Sequence, residues 1–242
     1  MTDTILVHGH DLVEEVIGQW SFAELTFVAL TGGKRPTPGQ TRMIDALLTT
    51  FVDHGVTPSS IATRLTFLGA PEAMQAAIAA GLCGAGDRYL GTMQSAGEML
   101  RDAVGGATDS PDVSALARQV IDQYRSSRRA IPGVGHPEHK TGDPRTPRLA
   151  ELARETNCDG VHMDLMLAIG DQLSSDGRLL PVNAAGLSGA IVLDMGLPPE
   201  AGRGLAIVSR AAGLAGVVLA EIRQPSAQHI WDQLRVSAGK QE

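Results

Sequence analysis

The sequence has few aromatic residues: four Phe, two Trp and two Tyr amount to 3% of its 242 residues. Ala and Gly must then do much of the packing, which brings backbones close together instead of filling space with rings. Cysteine is also scarce. Cys83 and Cys158 lie far apart and outside any CxxC context, which excludes a disulfide framework and reads as two buried thiols in a reducing compartment. No basic block exists. The net charge is −7 with Lys and Arg scattered, so nucleic acid is excluded as an expected partner. The opening MTDTILVHGHD has no long apolar core, and no secretory signal is expected. The one long apolar run, Gly204 to Ala220, falls short of the ~20 residues of a membrane span. Arg210 sits near its middle, so a buried helix is expected and a membrane is not.

What is present has helical periodicity almost throughout. Leu12, Val16, Trp20, Leu25 and Val28 fall near one stripe, which predicts a helix running from Asp11 to Leu30. The Thr-Pro of TPGQTRMIDALLTTFVDHG opens a helix ending near Gly55. Further helices are predicted over TPSSIATRLTFLGA, over APEAMQAAIAAGLCGAG with Pro71 in the first turn, and over SPDVSALARQVIDQYRSS with Ser110 as cap and Pro111 just inside. TPRLAELARETN and CDGVHMDLMLAIGDQL follow, broken near Asn157. LSGAIVLDMG, the Pro198–Glu221 region and a short helix around Trp231 complete an all-α chain without strands, repeats or low-complexity tracts.

The main polar break lies between Arg128 and Pro147, where Pro132, Pro137, Pro144 and Pro147 forbid a continuous helix. It contains GVGHPEHKTGDPR, and in a helical protein such a break is where function concentrates. HPEH has the residue types of a metal site, but Pro137 spoils the one-turn helical spacing of two ligands and no third ligand stands out; no metal is expected. GLCGAG (Gly81–Gly86) follows a helix and not a strand, so it reads as a helix stop and not a dinucleotide loop. A buried guanidinium needs a partner. Arg210 is therefore in an internal ion pair, with Glu221 as a candidate, or at a solvated position on a subunit edge, or is a bidentate clamp for a ligand carboxylate. Arg145 has the same two readings. His54, at a helix end, could be structural or functional.

Four blocks in order, DHGVTPSSIATRL, GVGH…DPR, LPVNAAGLSGAIVLDMG and SRAAGLAG, together resemble the signature blocks of the citrate synthase superfamily. The opening HGHDLVEEV…SFAELTFVALTGGKRPT is similar as well, so the resemblance covers most of the chain. AGDRYLGTMQSAGEML is closest to the citryl-CoA lyase module of ATP-citrate lyase; Tyr89 falls near the place where citrate synthases carry a carbonyl-polarising histidine.

The resemblance implies an all-α, citrate synthase-like fold. Residues 1–85 and 181–242 would form a large, dimerising domain, and residues 86–180 a small domain closing over CoA. It implies an enzyme that cleaves or forms a C–C bond in a carboxylated 3-hydroxy-acyl-CoA, giving acetyl-CoA and a keto acid such as oxaloacetate. The only cofactor implied is the CoA thioester substrate, without metal or prosthetic group. A cytoplasmic homodimer or higher oligomer is expected, binding an acyl-CoA and a dicarboxylate. His136 would handle the carbonyl or carbinol oxygen, and His54 would bind substrate. Arg145 and Arg210 would grip carboxylates, while Val134, Gly135 and Lys140 would line the CoA arm.

Two positions depart from the family pattern. The acid/base aspartate of its "NVD" block falls on Ala185, with Asp87, Glu138 or a bound water as possible substitutes. The arginine contributed by the partner subunit falls on Gln228, with Arg223 close enough to replace it. A non-catalytic acyl-CoA-binding or regulatory protein, or a thioester hydrolase, is the alternative reading.

Overall fold

The computed structural model describes residues 4–53, 55–105, 111–136, 139–177 and 180–238. It is all-α apart from a two-residue-per-strand hairpin, β1 (Leu6–Val7) and β2 (His10–Asp11), paired antiparallel. That hairpin was not expected, and neither was the break after it. The Asp11 carboxylate caps a five-residue π-helical turn, Leu12–Val16. Gly18 then takes φ +80°, and α1 begins only at Phe22, running to Thr31. The predicted Asp11–Leu30 helix is thus two elements. Ser21 accepts from the Glu24 N–H while Glu24 receives the Ser21 N–H, a capping box that starts a new helix regardless of the apolar stripe passing through it.

The chain continues through α2 (Pro38–Thr50), α3 (Pro58–Gly69), α4 (Met74–Cys83), α5 (Gly86–Leu90), α6 (Thr92–Gly105) and α7 (Val113–Ser126). It ends with α8 (Arg145–Glu155), α9 (Val161–Ser175), α10 (Ala184–Asp194), α11 (Pro199–Arg223) and α12 (Ala227–Ala238). Thr37 and Gln40 exchange the bonds of another capping box at the start of α2, which ends at Thr50 and not near Gly55. α4 starts at Met74, leaving Pro71 in the preceding turn. Asp112 is the cap of α7, accepting from Ala115, so Pro111 lies outside the helix; Ser110 is outside the described residues. Asn157 adopts the left-handed conformation at φ 53°, which makes the expected break between α8 and α9.

The described residues gather into two compact units: residues 1–48 with 92–204, and residues 49–91 with 205–242. These are units of contact. The division expected from the sequence, 86–180 against the rest, is one of motion and remains an expectation.

In the first unit α10 packs against α6, α8 and α9, and almost all of it is buried. The scarcity of aromatics is explained here. A Cβ on Gly189 would overlap the Met93 carbonyl oxygen of α6, and one on Gly97 would come within 3.3 Å of Pro199. Small residues set the helix spacing, and Met93, Met163, Leu165, Met166, Ile169, Leu187 and Ile191 fill the remainder.

In the second unit α3 packs on α4 and α12. Ser59 donates to the Gly81 carbonyl at 2.6 Å, fixing Gly81 as a packing residue. α11 is long and apolar enough to cross a membrane by length and composition, and 39% of its most apolar window is buried.

Candidate functional site

The Gly133–Arg145 loop is stitched to the segment leading into α10. Val134 bridges Val182 antiparallel. Gly135 donates its N–H to the Pro181 carbonyl at 2.7 Å, and the Asn183 N–H reaches the Gly133 carbonyl at 2.9 Å. Asn183 works with three groups. Its backbone is in that ladder, its side-chain oxygen caps α10 by accepting from Gly186 at 2.9 Å, and its amide donates to the Gly135 carbonyl at 2.7 Å. The join needs glycine on both sides: a Cβ on Gly133, at φ +87°, would stand 2.5 Å from the Cα of Gly186.

His136 follows directly. It is half-buried, and its Nδ1 accepts the His139 N–H at 3.1 Å. In that contact Nδ1 acts as the acceptor, which leaves Nε2 as the ring nitrogen that can carry hydrogen. The His139 ring packs on that of His136, centroids 4.5 Å apart, so His139 orients the His136 ring through both its backbone and its side chain. Lys140 is exposed on the same loop. Glu138 and His54 lie outside the described residues.

Arg145 opens α8 and forms a bidentate pair with Asp143: Nε to Oδ1 and Nη2 to Oδ2, both 2.9 Å. Asp143 also accepts from Arg145 N–H and, across the join, from the Ala184 N–H at 2.9 Å. Its side chain is 1% exposed and that of Arg145 is 28% exposed. Burial works against the Asp143 charge, but the Arg145 guanidinium and the two backbone N–H groups outweigh it and hold the pKa at about 2. Two of the five guanidinium N–H groups are used in this pair, leaving others free to meet a carboxylate. The ion-pair and clamp readings of Arg145 are therefore compatible. Ala185, half-exposed, is the second residue of α10, and it brings no titratable group to this join.

Arg210 and Arg223 belong to the second unit. Arg210 lies buried in α11 at 7% exposure; burial lowers its pKa, with Asp53 opposing. The suggested pairing with Glu221 does not occur. Arg64 takes Glu221 instead, and the Glu221 carboxylate also accepts the Ser226 and Ala227 N–H groups at 2.7 Å. Arg223 is the exposed last residue of α11. Asp87 is exposed on α5, and Tyr89 beside it is 41% exposed. Among the described residues no three His, Cys, Asp or Glu side chains come together as metal ligands do.

Sequence reasoning passed over Asn183 and Asp143. Both had signals: Asn immediately before a helix is a cap candidate, and Asp two residues before Arg145 is within reach of its guanidinium.

An all-α chain whose histidine-bearing loop is laced to a small-residue helix, with an arginine fork at the loop's end, has the class of fold to which its motifs pointed. The chain belongs to the citrate synthase family: the model of the citrate synthase C-terminal domain matches residues 6–231. The fold is also that of citryl-CoA lyase from Hydrogenobacter thermophilus, with TM-score 0.82 and 27% identity over 94% of this chain and 86% of that one. An aspartate-to-alanine mutant of Methanosaeta concilii ATP citrate lyase, in complex with (3S)-citryl-CoA, matches with TM-score 0.73 and 19% identity over 92% of this chain and 37% of that one. Citrate synthase from Thermoplasma acidophilum, in complex with carboxymethyl-CoA and oxaloacetate, matches with TM-score 0.68 and 20% identity over 84% and 54%. These matches support an enzyme of the citrate synthase family with a citryl-CoA lyase-like fold, and α11 lies within the matched residues.

Proposed function

We propose that the protein cleaves, or in reverse forms, the C–C bond of a carboxylated 3-hydroxy-acyl-CoA such as citryl-CoA, giving acetyl-CoA and a keto acid such as oxaloacetate. The observation that carries this reading is His136 at the end of the join, its Nδ1 accepting the His139 N–H at 3.1 Å. In bond formation an Nε2–H would donate its proton to the keto oxygen as that oxygen becomes the carbinol hydroxyl, and in cleavage the same nitrogen, without its hydrogen, would take the carbinol proton back. Arg145, preset by Asp143, would take one substrate carboxylate, and Arg210, with His54, the other. Arg223 stands in for the arginine replaced by Gln228. Val134, Gly135 and Lys140 would line the CoA arm. Residues 86–180 closing over CoA against 1–85 and 181–242, in a cytoplasmic homodimer or larger assembly, belong to the same proposal.

Cleavage leaves a thioester enolate whose carbon must take a proton. Ala185 cannot supply it, and Asp143, held at about 2 by Arg145 and backbone N–H groups, is charged and too weak a base to exchange one. A bound water or Asp87 would serve. The same alanine supports a second reading: a protein that binds such a thioester without cleaving it, or hydrolyses it to CoA and the free acid. A neighbouring ATP citrate lyase with an aspartate changed to alanine is seen in complex with (3S)-citryl-CoA; by the resemblance of its blocks, this chain carries Ala185 where the family has an aspartate.

The test is to incubate (3S)-citryl-CoA and a panel of carboxylated hydroxy-acyl-CoA esters with the wild type and with Ala185→Asp. Acetyl-CoA, free CoA and keto acid are then quantified. Acetyl-CoA and keto acid in equal amounts from the wild type establish the lyase. Free CoA without keto acid establishes the hydrolase. If only Ala185→Asp cleaves, the wild type is the binding form and the lyase reading is wrong.

A further inference from the structure

A cavity of about 200 Å³ lies in the first unit, on the α7 and α9 side of the His136 loop. Its apolar wall is made by Ile121 of α7, Leu173 of α9, Ile131 and Leu180. Among the described residues its charged groups are Arg125 and Arg129, and no acidic residue lines it. The two arginines are held differently. Arg125 is occupied by Asp176 at 2.9 Å and lies 3.8 Å from Asp122. Arg129 lies over the Tyr124 ring, 5.1 Å from its centroid, and has no carboxylate partner among the described residues. Stacking fixes the plane of the guanidinium while leaving its N–H edge for an acceptor.

An apolar chamber with one placed, unspent guanidinium at its rim is complementary to a ligand with an apolar body and a single anionic end. The chamber is too small for a nucleotide and has no ring or side-chain amide to recognise a base. Val134 also lines the cavity and lies two residues before His136, so an occupant would touch the loop that carries the histidine.

We propose that this cavity is a binding site for a small aliphatic carboxylate, with Arg129 as its counter-ion and Ile121, Ile131 and Leu173 around its chain. The proposal does not depend on the reaction suggested above, and its test does not use activity.

Hexanoate is titrated into the full chain with methyl resonances of Ile121, Ile131, Val134 and Leu173 observed by NMR, and hexanol serves as the uncharged control. Expected are saturable shifts confined to those methyls, roughly tenfold weaker binding of hexanol and a similar loss in Arg129→Ala, as for a charge-assisted hydrogen bond. Leu173→Trp, which fills the chamber, should abolish binding. If that variant fails to fold, Arg129→Glu, an exposed change, should do the same by charge. Hexanol binding as tightly as hexanoate, shifts that map elsewhere, or binding unaffected by Arg129→Glu would each overturn the proposal.

Discussion

Asp143 holds Arg145 through both carboxylate oxygens while receiving the first N–H of α10 from Ala184. One buried carboxylate thereby fixes the arginine fork and ties the loop to the helix. Its pKa is depressed from 3.8 to about 2, so its ionised form stabilises the fold above the unfolded value, and that contribution is lost as pH falls through the folded one. Asp143→Asn should cost about 2 kcal/mol at neutral pH. The gap between variant and wild type in urea unfolding should close as pH falls from 3.8 toward about 2. A gap that persists unchanged at the acid end would mean that the charge is not what stabilises the join.

The Gly133–Gly186 contact predicts opposite outcomes for two glycine-to-alanine changes in helices. Gly186→Ala places a methyl in the Gly133 backbone and should lower stability by about 2–3 kcal/mol, as overpacking against an unyielding neighbour does. Gly216→Ala, in the exposed interior of α11 with nothing within 4 Å, should raise it by roughly 0.5–1 kcal/mol through helix propensity. Thermal unfolding of the two variants checks both signs.

Asn183→Asp separates the two jobs of the asparagine side chain. The cap on Gly186 survives because a carboxylate also accepts, but the donor to the Gly135 carbonyl becomes an acceptor facing an acceptor. The loss should be about 1–3 kcal/mol, the cost of an unsatisfied buried group. It should appear as faster hydrogen exchange at Gly135 and His139, with the α10 amides still protected. Equal loosening of α10 would show that the cap is the main role.

Glu221 gathers Arg64, Ser226 and the N-terminus of α12. Burial opposes its charge, but the Ala227 and Ser226 N–H groups, the Ser226 hydroxyl and Arg64 together lower its pKa. Glu221→Gln should cost roughly 3 kcal/mol, since Arg64 loses its counter-charge. The stabilisation in the wild type should fade as pH falls through the carboxylate range. Hydrogen exchange in α12 should rise before that in α4, which does not use this network.

Helices announced themselves where caps and prolines agree with the apolar period, as at Thr37-Pro38 and Asn157. They were misjudged where period and cap disagree. The stripe from Leu12 to Val28 is continuous on paper, yet Gly18 and the Ser21–Glu24 box cut it, because a capped start satisfies backbone N–H groups that a longer helix would satisfy only by carrying glycine through its interior.

The sequence by itself determined the all-helical class and the family, since these are local in the chain or carried by the order of its blocks. Tertiary structure alone decided the partners. Glu221 went to Arg64 rather than Arg210, and Asp143 reached the start of α10 as well as the neighbouring Arg145. Which charges and N–H groups meet depends on how helices from distant parts of the chain pack, and on the desolvation that makes each buried group find a partner.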